Sequence, residues 1–369
     1  MGILRRTYNS IGAIAGIFAG VLLVVSSYAH LVSPEKFHYM AYAAIIFPGV
    51  LLLNLLLLLF WAVQWNKVAL ITLFSMLLCA GQIFLYSPVH VIPQQQKGGD
   101  TLSLLTYNVC AFSQYARHNS KKSNPIIEYV KKSGADIVCL QEYGYSTTGR
   151  DLGRVNIDTA LTKIYPYRAV FVHGGDWITQ LGIACYSRYP ITDTVHILSP
   201  GQNSSILCTL DVNGRELSLV VNHLASNKLS LKDRGFFKYL SNHPDKIDEY
   251  QEGIKKHLVR KFGLASMLRA SQADTISAAI AGLGDNIIVC GDFNDTPQSY
   301  TYNRIRGTLG DAYEKTGNGP GITYNRDRFY FRIDHVLYGK ALRPIKTEIE
   351  HVCYSDHYPV KVLFEWDGR

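Results

Sequence analysis

Charge is nearly absent from the first quarter of this 369-residue chain. Residues 1–97 carry only Arg5, Arg6, Glu35, Lys36, Lys67 and Lys97, and three apolar runs lie among them. The runs extend from Ile11 to about Val32, from Ala41 to Val63 and from Val68 to about Tyr86. Each approaches or exceeds the roughly 20 residues that a helix needs to cross a bilayer. Arg5 and Arg6 ahead of the first run give it the outline of a signal peptide. Its length, the lack of a clean small-x-small cleavage site and the two runs that follow argue that it is retained. Three transmembrane helices are predicted, with residues 1–87 forming a membrane anchor.

Orientation follows from the basic residues. Arg5 and Arg6 flank the first run, Glu35 offsets Lys36 in the next loop, and Lys67 lies in the tight turn after the second run. With the amino end inside, three spans place everything after about residue 97 on the outer face. The sequence therefore predicts an integral protein of a bacterial inner or plasma membrane, with its globular part periplasmic or extracellular. Residues 88–100 contain Pro, Gln and Gly without a periodic apolar face. They read as a short tether holding a domain of residues 101–369 close to lipid.

The formal net charge of +8 divides evenly, since five bases and one acid through Lys97 leave +4 on each side. Such a small excess on the larger part is weak support for nucleic-acid binding. The seven cysteines show no CxxC or Cys/His zinc spacing. Cys79 lies in the third run. Cys110, Cys139, Cys185, Cys208 and Cys290 fall in or beside apolar strand patterns, where a free thiol behaves as a small hydrophobe. Six thiols beyond the spans sit awkwardly with export.

Within the polar part, the most informative stretch begins at Ile287. Ile287 to Cys290 is a β-branched apolar run with the pattern of a strand buried on both faces. Gly291 follows where the chain must leave the sheet, and Asp292, Asn294 and Asp295 come before Pro297. Polar groups at the carboxyl end of a buried strand need partners. That is also where α/β folds place their chemistry. Taken alone, the stretch has an Asx-turn as its lesser alternative reading.

Other strand ends repeat the pattern. Thr101–Tyr107 ends at Asn108, and Asp136–Leu140 ends at Gln141-Glu142. A helix pattern with Pro125 in its first turn separates them. Gly182–Tyr186 reads as a further strand. Ser205–Val212 and Glu216–Asn222 form a hairpin through Asn213-Gly214 and finish at His223. Arg332–Tyr338 carries Asp334, and Asp356-His357 precede a last apolar strand. A lone Glu142 is ordinarily a surface carboxylate and a lone His223 ordinarily structural; their shared position at strand ends makes both candidates. Ala225 to about Ala270 is a Lys- and Arg-rich interruption with Phe236, Phe237, Tyr239 and Leu240 clustered. It reads as helices laid over one end of the sheet with a buried face, contact with lipid headgroups being the alternative. An amphipathic helix over Ala270–Ile280 follows.

Leu-Leu-Thr-Tyr-Asn-Val, Val-Cys-Leu-Gln-Glu, Cys-Gly-Asp-Phe-Asn-Asp-Thr-Pro, Arg-Ile-Asp-His-Val and Ser-Asp-His-Tyr-Pro-Val occur in this order. Together they resemble the endonuclease/exonuclease/phosphatase (DNase I-like) superfamily over roughly Thr101 to Trp366. The resemblance implies an α/β four-layer sandwich, two mixed β-sheets flanked by helices, with the site at one edge. It implies that Glu142 binds a divalent cation, with Asn108 and Asp356 completing or orienting its shell. Hard oxygen donors suit Mg²⁺ or Mn²⁺. Asp292 would position or deprotonate the attacking water, and Asn294 would donate to a phosphoryl oxygen. His357, oriented by Asp334, would stabilise the transition state or act as acid/base, and His223 would assist the leaving oxygen. Cys110 stands where apurinic endonucleases carry an acid, and Asp295-Thr296 departs from the 5-phosphatase signature. The implied activity is a metal-dependent phosphoester hydrolase. Its substrate is a phospholipid or sphingolipid headgroup, favoured by the anchor, or a nucleic acid, favoured by His223. A catalytically inactive binding module is the third reading. The bilayer is the implied partner, and no protein partner is deducible.

Overall fold

A computed structural model describes residues 2–113, 123–147, 152–201, 204–227, 252–326 and 330–367. Helices α1 (Gly2–Ser27) and α2 (Tyr39–Val63) are each long and apolar enough to cross a membrane. The third apolar run differs from a single straight span. It forms α3 (Ala69–Leu78) and α4 (Ala80–Tyr86), bent by 70° around Cys79. Gly12, Gly16 and Gly20 make a stripe along α1. A Cβ on Gly12 would fall 2.1 Å from the Trp61 ring, and one on Gly20 would fall 2.6 Å from Ser75 Oγ. Small residues at this spacing let apolar helices close on one another.

Side-chain contacts fix which helix ends lie together. The Tyr8 hydroxyl donates to Gln64 Oε1 (3.1 Å) and Asn66 Nδ2 to Asn9 Oδ1 (2.7 Å), so the amino end meets the turn after α2. At the other end, the Tyr28 hydroxyl donates to the Leu78 carbonyl (2.8 Å). The third run therefore travels the length of the bundle before it bends.

Apart from short turns at Ala29–Leu31 and Cys110–Ser113, the next elements are β1 (Thr101–Asn108), α5 (Pro125–Lys132), β2 (Ile137–Ser146), α6 (Arg154–Leu161), β3 (Tyr167–Gly175), β4 (Thr179–Ser187), β5 (Ile191–Ile197), β6 (Ser204–Val212) and β7 (Arg215–His223). After them come α7 (Glu252–Ile280), β8 (Ile287–Asp292), α8 (Tyr300–Arg306), β9 (Gly310–Asp311), α9 (Ala312–Thr316), β10 (Asp334–Tyr338), β11 (Leu342–Ile349) and β12 (Val360–Trp366). Asn124 caps α5 by accepting from the Ile126 and Ile127 amides, with Pro125 at the first helical position. Helix α7 is unbroken, so the rear of the Lys- and Arg-rich insert and the helix expected over Ala270–Ile280 are one element. The Phe236, Phe237, Tyr239 and Leu240 cluster lies outside the described residues.

Two six-stranded mixed sheets result, ordered β11-β12-β1-β2-β4-β3 and β5-β6-β7-β8-β10-β9. β1 and β2 are parallel, as are β7 and β8; β8 and β10 are antiparallel. Strand side chains alternate between faces. One row from each strand therefore enters the core between the sheets, including Leu102, Ile137, Leu217, Leu219, Ile288, Val336 and Phe364. The opposite rows pack under α5 and α6 on the first sheet and under α7 and α8 on the second. The fold is the four-layer sandwich with helices outside. Cys139, Cys185, Cys208 and Cys290 lie in the middle layer as free thiols, Cys139 directly across from Cys185.

Residues 88–100 lack regular structure, as their composition implies, yet they are fastened along their length. Asn318 Oδ1 accepts from the His90 amide (2.6 Å), Arg343 donates to the Gln95 carbonyl (2.9 Å), and Glu365 Oε1 accepts from the Lys97 and Gly99 amides (2.7 and 2.9 Å). This strap starts beside α4 and ends where Thr101 pairs with Glu365, after which β1 runs back along the sheet. Meanwhile α4 packs Leu85 into the outer core of the second sheet. The Leu85 carbonyl accepts from Arg332, and the Gln82 carbonyl accepts from Gln298 Nε2 (3.3 Å). Arg332 precedes Asp334 by two residues and Gln298 follows Asp292 by six. The strand ends carrying these acids thus lie on the side of the sandwich that meets the helical bundle.

Candidate active site

Following the inward-facing rows to that side, each changes from apolar to polar at its last position. Leu102 and Leu104 give way to Thr106 and Asn108, Ile137 and Cys139 to Gln141, Leu219 and Val221 to His223, Cys290 to Asp292, and Val336 to Asp334. Register brings these ends level: Asn108 pairs with Gln141, and Asp292 pairs with His223 on one side and Asp334 on the other. Asn108, His223, Asp292, Asp334 and His357 are all buried.

Asp334 and His357 form the tightest unit. Asp334 Oδ2 lies 2.8 Å from His357 Nδ1, and the other ring nitrogen lies 3.8 Å from Asp292 Oδ2. Burial opposes a charge on this imidazole, but the Asp334 and Asp292 carboxylates outweigh it and push His357 up to about 10. The two carboxylates thus favour the protonated ring. Burial raises Asp292 to about 6 against the pull of His357 and the Asn108 hydrogen bond. Asp292 accepts from Asn108 Nδ2 (2.9 Å), the Asn294 amide (2.8 Å) and Asn294 Nδ2 (3.2 Å). Gly291 carries φ +124°, and a Cβ there would fall 2.1 Å from the Asn222 carbonyl, so only glycine fits this strand exit.

Across the gap, the β2 backbone breaks register between Leu140 and Tyr143 and turns Glu142 through a left-handed φ of 48°. Asn294 has φ 52°. Such conformations are costly for non-glycine residues and cluster at functional positions. Glu142 Oε1 lies 3.3 Å from Asn108 Nδ2 and 3.7 Å from His223 Nε2, with its side chain part-exposed. Burial lowers His223, so its ring tends to the neutral form.

The structure thus gathers Asn108, Glu142, His223, Asp292, Asn294, Asp334 and His357 within one chain of short contacts. Asp356 Oδ1 accepts from Ser355 Oγ (3.3 Å), and Ser355 Oγ also donates to the Asn108 carbonyl (2.8 Å), so Asp356 is linked to Asn108 through Ser355. Asn294 commits its amide to the Leu224 carbonyl (3.0 Å) and to Asp292, which fixes the loop. Sequence reasoning missed Thr323, whose Oγ1 accepts from the Ile333 and Asp334 amides (3.0 and 3.1 Å) and so sets where β10 begins. It also missed Arg269, a buried guanidinium on α7. Arg269 donates to Asp295 Oδ2 (3.2 Å) and the Ala225 carbonyl (2.9 Å), tying together the loops after β7 and β8.

Among the described residues, Asp292, Asp334 and His357 form a group whose ligand atoms approach within 4.8 Å. In this group the His357 ring is held between the two carboxylates, by Asp334 at Nδ1 and near Asp292 at the other nitrogen. Glu142 is the better seat for a hard cation, having a part-exposed carboxylate and an amide neighbour. The donor chemistry fits Mg²⁺ or Mn²⁺ there, with Asn108 supplying oxygen only if its amide turns, since Nδ2 now faces the acids. The balance of charge points the same way. Asp292 and Asp334 flank the His357 ring and Glu142 adds a third carboxylate beside His223, so the site carries an excess of acid that a cation would offset.

The four-layer arrangement and the polar rim define a DNase I-like fold. The chain belongs to the Endonuclease/Exonuclease/phosphatase family, which matches residues 105–357. A domain of unknown function matches residues 9–86. The chain is similar to an endonuclease/exonuclease/phosphatase from Beutenbergia cavernae DSM 12333, with 18% identity, a TM-score of 0.50, and 73% of this chain and 72% of that one covered. It is also similar to the human Nocturnin catalytic domain with bound sulfate anion (16% identity, TM-score 0.47, 72% and 94% covered). D. rerio TDP2 complexed with single-strand DNA product gives 16% identity, a TM-score of 0.46, and 72% and 99% covered. At these identities the likeness speaks for the fold alone, and of these three the first carries that argument. No curated protein matches the chain.

Proposed function

We propose that the protein is a membrane-anchored, divalent-metal-dependent phosphoester hydrolase acting on the headgroup phosphoester of a membrane phospholipid or sphingolipid. The observation that carries this reading is the position of the rim. The loops that follow Asp292 and precede Asp334 rest on α4, which supports a reading in which the reacting groups face lipid. Basic residues Arg5, Arg6 and Lys67 fall at the opposite end of the bundle, which favours placing the catalytic domain on the outer face.

Asp292, as a carboxylate, takes a proton from the attacking water. The imidazolium of His357, fixed at Nδ1 by Asp334, presents its other N–H to the phosphoryl group and yields a proton as the ester P–O bond breaks. Neutral His223 donates a hydrogen bond toward the leaving oxygen. A divalent cation at Glu142, with Asn108 and Asp356 nearby, would neutralise charge on the phosphoryl oxygens when bound. Full-length protein assayed with Mg²⁺ or Mn²⁺ against sphingomyelin, a phosphatidylinositol phosphate, DNA and RNA should turn over a lipid. Turnover of nucleic acid alone would replace the substrate class, and turnover of none would overturn the enzyme reading.

A further inference from the structure

Large apolar side chains exposed by the catalytic domain are unevenly distributed. At the rim, Trp177 (79% exposed) and Ile178 form the tip of the β3–β4 hairpin, and Leu198 (78%) follows β5. Tyr330 precedes β10, and Val259 and Leu264 are exposed on α7. Val155 on α6, Val195 on β5 and Tyr354 ahead of β12 are exposed as well, and at the far end of the sheets, among the described residues, Tyr167 alone matches them. Folding does not account for this asymmetry, because the same strands bury their inward and helix-facing rows at both ends.

One of these positions adjoins the bundle. The Val259 carbonyl accepts from the Tyr42 hydroxyl (2.6 Å) near the start of α2, and Phe262 packs on the Tyr42 ring at 5.0 Å. The hairpin tip stands on the other side of the site. β2 continues five residues past Gln141 to Ser146, which pairs with Thr179, so the tip overhangs the rim of the first sheet. β3 is the edge strand of that sheet, whereas α4 docks beneath the second. The reacting groups lie between the two supports.

We infer that the Trp177–Ile178 hairpin tip inserts into the interfacial layer of the bilayer that holds α1–α3. The domain then stands on lipid at two points, and the headgroup enters the site from below. The inference rests on the lipid reading above and adds the surface that delivers the substrate. An exposed indole beside an aliphatic side chain suits the boundary between headgroups and acyl chains. Exposed Arg260, between Val259 and Phe262, suits anionic headgroups on the opposite support.

The test uses full-length protein in phosphatidylcholine–phosphatidylglycerol vesicles, comparing the parent with a Trp177→Ala, Ile178→Ala variant. Hydrolysis of a bilayer lipid should fall by about tenfold or more, while hydrolysis of water-soluble bis(p-nitrophenyl) phosphate stays unchanged. Equal rates on the bilayer lipid, or equal losses on both substrates, would overturn the inference. A second measurement does not depend on catalysis. The fluorescence component lost in Trp177→Phe should be quenched by bromine-labelled lipid, and an unquenched component would overturn the inference even if the enzyme is active. If neither ester is cleaved by any variant, the catalytic reading fails and the quenching still decides the interface.

Discussion

The first sheet reaches the rim with an amide and a part-exposed carboxylate, Asn108 and Glu142, and the second with three buried titratable groups, His223, Asp292 and Asp334. One end is open to water and hard in its donors. The other is closed, and together with His357, which reaches it from the loop ahead of β12, it has its basicities pushed apart, Asp292 up to about 6 and His357 up to about 10. The first is suited to a cation and the second to moving protons. Neither is a site alone. They are joined where Asn108 Nδ2 meets Asp292 Oδ2 at 2.9 Å, so the chemistry depends on how the sheets stack.

If the division is real, His357→Ala should show the largest effect, lowering kcat by about 10²–10⁴-fold while the Mg²⁺ concentration for half-maximal rate stays fixed. A matching shift in metal requirement would break the comparison. Glu142→Gln should do the reverse, raising that concentration by about 10–100-fold with the rate recovering at high Mg²⁺. A calorimetric titration giving parental affinity would assign the cation elsewhere. The pH profile of kcat should rise through about 6 as Asp292 ionises and fall through about 10 as His357 loses its proton. No lower limb would remove Asp292 as the base.

Stability sharpens the closed side. The His357 pKa is raised from 6.5 to about 10 on folding, so the stabilisation it lends is complete below about 6.5 and lost as pH rises through about 10. The melting-temperature gap between the parent and His357→Gln should therefore narrow from neutral pH toward pH 10; a constant gap would mean the ring is not held as a cation. The smallest effect is expected from Thr323→Val. It strands two amides at a cost of about 1–3 kcal/mol and slows turnover only by loosening Asp334.

Much of this was legible because the sandwich writes its rim as the last inward residue of successive strands. Asn108, His223 and Asp292 each end an apolar run, and Asn213-Gly214 marks the hairpin with φ values of 55° and 84°. Strands β3, β5 and β11 were not legible. β3 and β11 are edge strands of the first sheet, and β11 carries Pro344 with Arg343 and Lys346, which masks its alternation. Thr323, Ser355 and Arg269 were invisible for another reason. Each acts on backbone or side chains far along the chain, and no local pattern records such a contact. The bend at Cys79 was hidden likewise, since hydropathy is the same whether Leu85 faces lipid or the sandwich.

The strap from Pro88 to Asp100 acts as a ruler. Its hydrogen bonds to Asn318, Arg343 and Glu365 convert thirteen residues of slack into a fixed length, with α4 clamped at one end and β1 at the other. Reach is therefore set by folded contacts instead of polymer statistics. A domain mounted this way cannot swing about on its helical bundle; it is held at one distance and one bearing from it.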